Sequence, residues 1–180
     1  TGVYYATTTW KRLEPRLDAY ATQWGARRRS ACVAHRRGER SDDLHGRQLL
    51  CLQRRRSAFD ALVGSLVVAD ADTVKKAVQA TDDLPELAAC DDLAALVAAV
   101  PPPDDPAVAE EIDRLRDQLE PARVALSLYK AREGLPIVDT IRARARELGH
   151  LPFEAEVDAL AGRLHIATGD YATGEKKLTD

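Results

Sequence analysis

Four residues of the kinds that bind zinc lie close together in the sequence. Cys32 and His35 form Cys-x2-His, and His45 and Cys51 form His-x5-Cys. Zinc requires four such ligands that converge tetrahedrally. Because this spacing matches no familiar zinc finger, we predict neither a metal nor a cofactor. We expect His35 and His45 to lie near the tip of a helical hairpin, in contact with water.

The three cysteines, Cys32, Cys51 and Cys90, are also candidates for a disulfide. Cys32 precedes and Cys51 follows the short turn of a predicted antiparallel hairpin, where they can come within bridging distance. Cys90 is a further candidate partner for Cys51, and a single bridge leaves one thiol over. The alternative is three buried thiols that behave as small apolar side chains. The residues alone leave this choice open.

Positive charge is concentrated in residues 27–56, which contain 10 arginines and 3 acidic residues. Residues 57–180 have the opposite balance, with 13 basic and 24 acidic residues, and the whole chain has a formal charge of −3. A basic segment of this kind can meet nucleic acid or anionic lipid. The candidate anion patch comprises Arg27, Arg28, Arg36, Arg37, Arg40, Arg47, Arg54 and Arg55. The alternative is a set of solvated arginines that pair locally with acidic residues. No aromatic residues alternate with these arginines, so we do not expect nucleic acid as a partner.

No set of residues in the sequence indicates catalysis. The paired acids, among them Asp42-Asp43 and Asp91-Asp92, stand where helices are expected to begin, and there they complement the helix dipole. The order of serines, histidines and aspartates suggests no catalytic triad. We therefore predict that this segment is not an enzyme.

Composition favours an all-helical protein. Of the 180 residues 45% are apolar, which is enough for a core, and only 5% are aromatic. Ala, Leu and Arg are abundant and are good helix formers, whereas residues typical of sheets are scarce. The longest apolar runs are far shorter than the roughly 20 residues of a membrane span. The sequence shows no signal peptide and no initial Met, so we expect it to be a piece of a longer chain.

Apolar spacing predicts a long antiparallel hairpin near the start of the chain. The first helix is expected between Trp10 and Arg37, with Pro15 in its first turn. Gly38 ends it, and Ser41 caps a second helix that continues to about Ala69. Because the turn is short, the two helices should pack side by side.

Shorter helical elements are predicted next. A third helix is expected after Asp70 or Asp72, and Pro85 opens a single turn. Another short helix follows Asp91 or Asp92.

A linker then marks the predicted domain boundary. Residues 101–106 read Pro-Pro-Pro-Asp-Asp-Pro, which cannot be helical throughout. Residues 1–103 are therefore predicted to be a cysteine-containing helical segment with the long hairpin. Residues 104–180 are predicted to be a second helical segment whose last repeat is truncated.

In residues 104–180 the pattern predicts further helices. One begins near Ala107 and is kinked or divided at Pro121, and its pattern resumes as far as Gly134. The next are expected at 137–148 and 154–168, and a last helix follows the turn at 169–171.

The last two helices match part of the tetratricopeptide pattern. That pattern asks for small residues where two helices press together, with a turn between them. The matching positions are Gly162, Gly169, Asp170, Tyr171, Gly174 and Leu178, with Pro152 as the closing proline of the preceding unit. Three positions depart from it, since Asp158, Ala161 and His165 stand where Trp, Leu and Tyr are usual.

One unit upstream, residues 121–152 have helical length and spacing but lack the expected glycine. A single unit cannot bury its apolar face alone. We therefore predict an all-α fold of antiparallel helical hairpins stacked into a right-handed, tetratricopeptide-like array.

A sparse set of positions along most of the chain resembles the carboxy-terminal region of the large serine/threonine protein kinases of myxobacteria and their relatives. The positions are Trp10, Leu17-Asp18-Ala19-Tyr20, Trp24, Ala31-Cys32, Ser41, Arg47, Cys51-Leu52, Leu62-Val63, Ala69-Asp70, Ala77, Leu84-Pro85-Glu86-Leu87, Cys90, Pro103, Pro106, Ala145, Leu148-Gly149, Pro152, Ala155-Glu156, Gly162 and Gly169-Asp170-Tyr171. In such kinases a cytoplasmic catalytic domain precedes one membrane span, a helical segment with spaced cysteines, and tetratricopeptide repeats.

The resemblance implies an extracytoplasmic, periplasmic segment that is tethered to a membrane through upstream residues, with a cytoplasmic location as the alternative. In an extracytoplasmic segment a cysteine bridge becomes plausible. None of the kinase motifs is present, so any kinase activity belongs to another part of the parent chain.

Three functions follow from these observations. The first is a non-catalytic module that binds a protein or peptide partner, or senses a signal, next to a signalling kinase. The alternative is an anion-binding module that uses the Arg-rich hairpin 27–56 to bind nucleic acid or anionic lipid. A third is a structural spacer or dimer surface.

Overall fold

The computed structural model describes residues 3–100 and 102–179. Within these ranges the chain forms eight α-helices and one short 3-10 helix, without any strand. The predicted all-helical class is therefore confirmed. The chain divides into two compact units, Thr1–Ala99 and Val100–Asp180, which we call unit 1 and unit 2.

Unit 1 is built on a long helical hairpin. Its elements are α1 (Ala6–Arg36), α2 (Asp42–Val67), α3 (Ala71–Asp82), a 3-10 helix (Leu87–Asp91) and α4 (Leu93–Ala98). α1 packs against α2 and α3, while the 3-10 helix and α4 lie against α2. The buried apolar side chains of this core include Leu13, Ala31, Leu52, Leu62, Ala77 and Leu87.

Three helix starts in unit 1 follow the predicted capping residues. The Ser41 hydroxyl accepts a hydrogen bond from the Leu44 amide (3.3 Å). The Asp70 carboxylate accepts one from the Thr73 amide (2.8 Å), so Asp70 rather than Asp72 is the cap of α3. Asp92 caps α4 in the same way. These caps satisfy amide groups that have no partner within the helix.

The predicted start of α1 is wrong, because the helix begins at Ala6 and Pro15 lies well inside it. A proline in a helix cannot donate to the carbonyl four residues earlier, here that of Lys11. Both Lys11 and Pro15 are exposed, so water can solvate that carbonyl. Leu13, which is buried, and the hydrogen bond from the Tyr5 hydroxyl to the Ala71 carbonyl (3.0 Å) hold the first turns in place.

Unit 2 consists of two successive helical hairpins. Its helices are α5 (Pro106–Ser127), α6 (Ala131–Leu148), α7 (Leu151–Ala167) and α8 (Tyr171–Thr179). Each helix packs against the next, and α5 also packs against α7. The core includes Ile112, Leu119, Val138, Phe153, Val157 and Leu164, each with an exposed fraction of 0%.

Several predicted boundaries in unit 2 are wrong. α5 continues through Pro121, so the predicted division of the helix there is wrong. Pro121 is exposed, and the carbonyl left without a donor can therefore be solvated. The turn instead lies at residues 128–130, where Tyr129 adopts a left-handed conformation with φ of 61°. Gly134 therefore lies inside α6 and does not end a helix.

Candidate functional site: helix interfaces and surfaces

The hairpin of α7 and α8 is built around two glycines. A Cβ atom on Gly174 would lie 2.9 Å from the Gly162 carbonyl oxygen, and one on Gly162 would lie 3.0 Å from the Gly174 carbonyl oxygen. Real Cβ atoms essentially never show contacts shorter than 3.0 Å, and a contact of 3.0 Å is tighter than nine in ten of theirs. The two backbones therefore approach to a distance that only glycine permits.

The other residues of this candidate hairpin have different roles. Gly169 occupies the turn with φ of 90°, a conformation that favours glycine. Tyr171 is the first residue of α8 and is 69% exposed, so its ring is not part of the interface. Leu178 is half exposed, and its side chain reaches the face of α7 that carries Gly162.

The hairpin of α5 and α6 also places a glycine opposite a small residue, at a slightly longer distance. A Cβ atom on Gly134 would lie 3.2 Å from the Ala122 carbonyl oxygen. Gly134 and Gly174 are forty positions apart, as are Ala122 and Gly162. The pair of Gly134 and Ala122 was not predicted from the sequence. The interval of forty residues that separates it from Gly174 and Gly162 was the signal that could have found it.

Backbone hydrogen bonds in the two turns also match at this spacing. The Lys130 amide donates to the Ala125 carbonyl (2.7 Å), and the Asp170 amide donates to the His165 carbonyl (2.9 Å). In both turns the bond spans five residues and closes the end of the helix. The residue before the donor, Tyr129 or Gly169, has a positive φ.

Ion pairs join α5 to α7 across unit 2. The two carboxylate oxygens of Glu156 each accept from one arginine of α5, Arg116 and Arg123, at 2.8 Å. The Arg116 guanidinium also lies over the Phe153 ring, 5.3 Å from its centre. Glu120 completes the cluster through an ion pair with Arg123. The shared face of α5 and α7 is therefore a defined, charged surface.

Cys51 and Cys90 form a disulfide, one of the two pairings that the sequence left open. Their Cα atoms are 5.6 Å apart, which lies within the usual range for a disulfide. Cys32 is a free thiol, so the pairing of Cys32 with Cys51 is not formed. The bridge also withdraws Cys51 from the set of residues considered as zinc ligands. In the part of the chain that the structure describes, no three His, Cys, Asp or Glu residues are grouped to hold a metal.

Most arginines of the candidate anion patch have partners within the chain. Ion pairs join Arg27 to Asp91 (3.0 Å), Arg47 to Asp43 (2.9 Å) and Arg37 to Glu39 (3.9 Å). Arg55 donates to the Glu86 carbonyl, Arg40 donates to the Gln48 side chain, and Arg54 is partly buried. The patch is therefore not one continuous row of available guanidinium groups.

Arg28 and Arg36 differ from the other patch residues. Both are exposed, and neither forms an ion pair with any residue in the described ranges. The Arg28 guanidinium lies over the Trp24 ring, 5.5 Å from its centre. The Trp24 indole nitrogen donates to the Leu52 carbonyl (2.8 Å), which fixes the ring between α1 and α2.

The two histidines near the hairpin tip are stacked on each other and only partly exposed, contrary to the expectation that they are solvated. The ring centres of His35 and His45 are 4.2 Å apart. His35 pairs with Asp42 (2.8 Å), whereas Nδ1 of His45 is buried and has no hydrogen-bond partner among the described residues. Burial, together with the charges of His35 and Arg40, lowers the pKa of His45, so the neutral ring is favoured.

Comparison with known proteins finds no match to a family model, to a curated protein or to a solved structure. Within residues 3–100 and 102–179, no helix has both the length and the apolar character that a membrane crossing requires.

Proposed function

We propose that this chain is a non-catalytic module that binds a protein or peptide through a tetratricopeptide-like array formed by unit 2. The observation that carries the proposal is the matched construction of the two hairpins. Both place a small residue opposite a glycine, and both close their turns with the same hydrogen bonds. Stacked units of this kind create extended surfaces for partners.

The face shared by α5 and α7 is the surface we assign to the partner. In such arrays the first helices of successive units pack against each other, as α5 and α7 do here. Ala159 and Arg163 continue the line of Glu156 along α7 at helical spacing, and both are exposed. The charged cluster around Glu156 offers polar contacts, and Ala159 leaves room for a bound chain.

The proposed context is the region that follows the membrane span of a serine/threonine protein kinase of the myxobacterial type. The sequence resemblance supports this context. The Cys51–Cys90 disulfide supports the extracytoplasmic placement, because such bridges persist in oxidising compartments.

The peptide-binding proposal is tested with a displayed library of random peptides selected against the full chain, followed by calorimetric titration of the enriched peptides. Ala159→Arg is expected to weaken binding at least about tenfold, because the long side chain fills the shared face of α5 and α7. Ala143→Arg is the control, since Ala143 is an exposed alanine of α6. Failure to enrich any peptide, or equal binding by both variants, contradicts the proposal.

The placement is tested separately in cells that express the parent protein, by counting which of Cys32, Cys51 and Cys90 are labelled in peptides of this segment. If the segment is extracytoplasmic, one of these cysteines, Cys32, is expected to react with maleimide after thiol–disulfide exchange has been stopped and the protein has been denatured. Three reactive cysteines would place the segment in a reducing compartment. This result would leave the peptide-binding proposal intact.

A further inference from the structure

Unit 1 has a surface groove of its own, formed by α1 and α2. Two shallow depressions, of about 380 and 400 Å³, share Trp24 and Arg28 in their walls. One extends along α1 as far as Arg36, and the other lies over α2 beside Leu49 and Leu50. We call the two together the Trp24 groove.

The apolar part of the groove consists of Trp24, Val33, Leu49 and Leu50, all partly buried. The Trp24 ring is held by its hydrogen bond to the Leu52 carbonyl and by contacts with the guanidinium groups of Arg28 and Arg56, which lie 5.5 and 5.6 Å from its centre. Its position is therefore fixed before any ligand arrives. Such a floor can bury apolar side chains of a partner.

The charged part of the groove consists of Arg28, Arg29 and Arg36. All three are exposed, and none forms an ion pair with another residue that the structure describes. No acidic residue occurs in residues 19–38 of α1 and its end, or in residues 44–59 of α2. The walls of the two depressions therefore contain three arginines and no acidic residue, and they lack the acidic groups that pair with Arg27 and Arg47 elsewhere.

We propose that the Trp24 groove binds an acidic peptide segment of a partner protein, with leucine or aromatic side chains as anchors on the floor. Guanidinium groups bind carboxylates with charge-assisted hydrogen bonds. Leu49 and Leu50 give no benefit to a phosphate backbone, and three arginines give few of the contacts that nucleic acid requires. The arginines complement the acidic residues of the peptide, and the apolar floor complements its anchors.

The test uses the full chain with Trp10→Phe, so that Trp24 is the remaining tryptophan. The probe is a synthetic peptide of repeated Glu-Glu-Leu, compared with peptides of repeated Lys-Lys-Leu and Glu-Glu-Ser. The first is expected to change Trp24 fluorescence saturably and to slow alkylation of Cys32, which lines the same groove. The other two peptides should bind at least about tenfold more weakly, because Lys-Lys-Leu lacks the acidic residues and Glu-Glu-Ser lacks the apolar anchors.

Charge-reversed variants locate the site. Arg28→Glu combined with Arg36→Glu is expected to weaken Glu-Glu-Leu binding at least about tenfold. Arg132→Glu combined with Arg146→Glu is the matched control, because both are exposed arginines of α6. Unchanged helical circular dichroism establishes that the variants fold.

Three outcomes overturn the proposal. The first is no saturable binding of the Glu-Glu-Leu peptide. The second is equal weakening by the two double variants. The third is tighter binding of duplex DNA or phosphatidylserine vesicles than of the peptide, lost in the Arg28/Arg36 variant, which would assign the groove to a polyanion.

Discussion

Replacement of both Cys51 and Cys90 by alanine is expected to lower the free energy of unfolding of unit 1 by about 4 kcal/mol. The bridge closes a segment with a sequence separation of 39, and the entropy of closing a loop of that length in the unfolded chain gives this value. The bridge also attaches the 3-10 helix, which contains Cys90, to α2. The next helix, α4, has no buried residue, so its own packing stabilises it little.

Tryptophan fluorescence isolates the unit concerned, because Trp10 and Trp24 both lie in unit 1 and the chain has two tryptophans. Urea unfolding followed at this signal should show a lower midpoint for the double variant. Cys32→Ala is the control and should cost less than about 1 kcal/mol, since Cys32 is partly exposed and forms no bridge.

A reducing agent provides the decisive comparison. Dithiothreitol should shift the wild-type transition toward that of the double variant and leave the double variant unchanged. Hydrogen exchange of the 3-10 helix and α4 should become faster in the reduced wild type and in the double variant. Without the covalent bond, the 3-10 helix keeps the hydrogen bond from the Gln48 side chain to the Cys90 carbonyl but loses its covalent attachment to α2. A wild-type transition that dithiothreitol does not move would contradict the prediction.

The helix starts of unit 1 could be predicted because their causes are local. Ser41 lies directly before two acids, and its hydroxyl binds an amide three residues later. Asp70 and Asp92 act in the same way. A cap requires only its own turn of helix, so the sequence is sufficient to find it.

The prolines were misplaced because their effect depends on solvent. Pro15 and Pro121 both lie inside helices, at exposed positions. A missing hydrogen bond on the wet side of a helix costs less than one in the core, and packing by Leu13 or Leu119 outweighs it. Which side of the helix faces water is decided by the tertiary fold.

The cysteine pairing and the arginine partners depend on contacts between distant residues. Cys90 reaches Cys51 because the 3-10 helix packs on α2, with Cys90 fully buried there. Arg27 finds its partner Asp91 through the same packing. Spacing in the sequence left Cys32 and Cys90 as alternative partners of Cys51 and did not place the 3-10 helix on α2, so the candidate surfaces required the structure.

The second large effect concerns the close approach of α7 and α8. Gly174→Leu is expected to lower the free energy of unfolding of unit 2 by about 3 kcal/mol. A Cβ atom at this position would lie 2.5 Å from Cγ1 of Ile166 and 2.9 Å from the Gly162 carbonyl oxygen. Ile166 is 37% exposed and can move, but the carbonyl belongs to the backbone of α7, so α8 must move away.

Gly64→Leu is the matched control, because it makes the same substitution inside a helix with nothing within 4 Å of the added Cβ atom. Leucine favours a helix over glycine by somewhat under 1 kcal/mol, so this variant should be stabilised. Gly174→Leu is therefore expected to lower the free energy of unfolding, measured by circular dichroism, and Gly64→Leu to raise it, measured by tryptophan fluorescence.

A Gly174→Leu chain that unfolds at the wild-type urea concentration would show that α8 is not held by close contact. Loss of amide protection in α8 alone would show instead that this contact fastens one helix, whereas loss across α5 to α8 would show that the two hairpins unfold as one cooperative body.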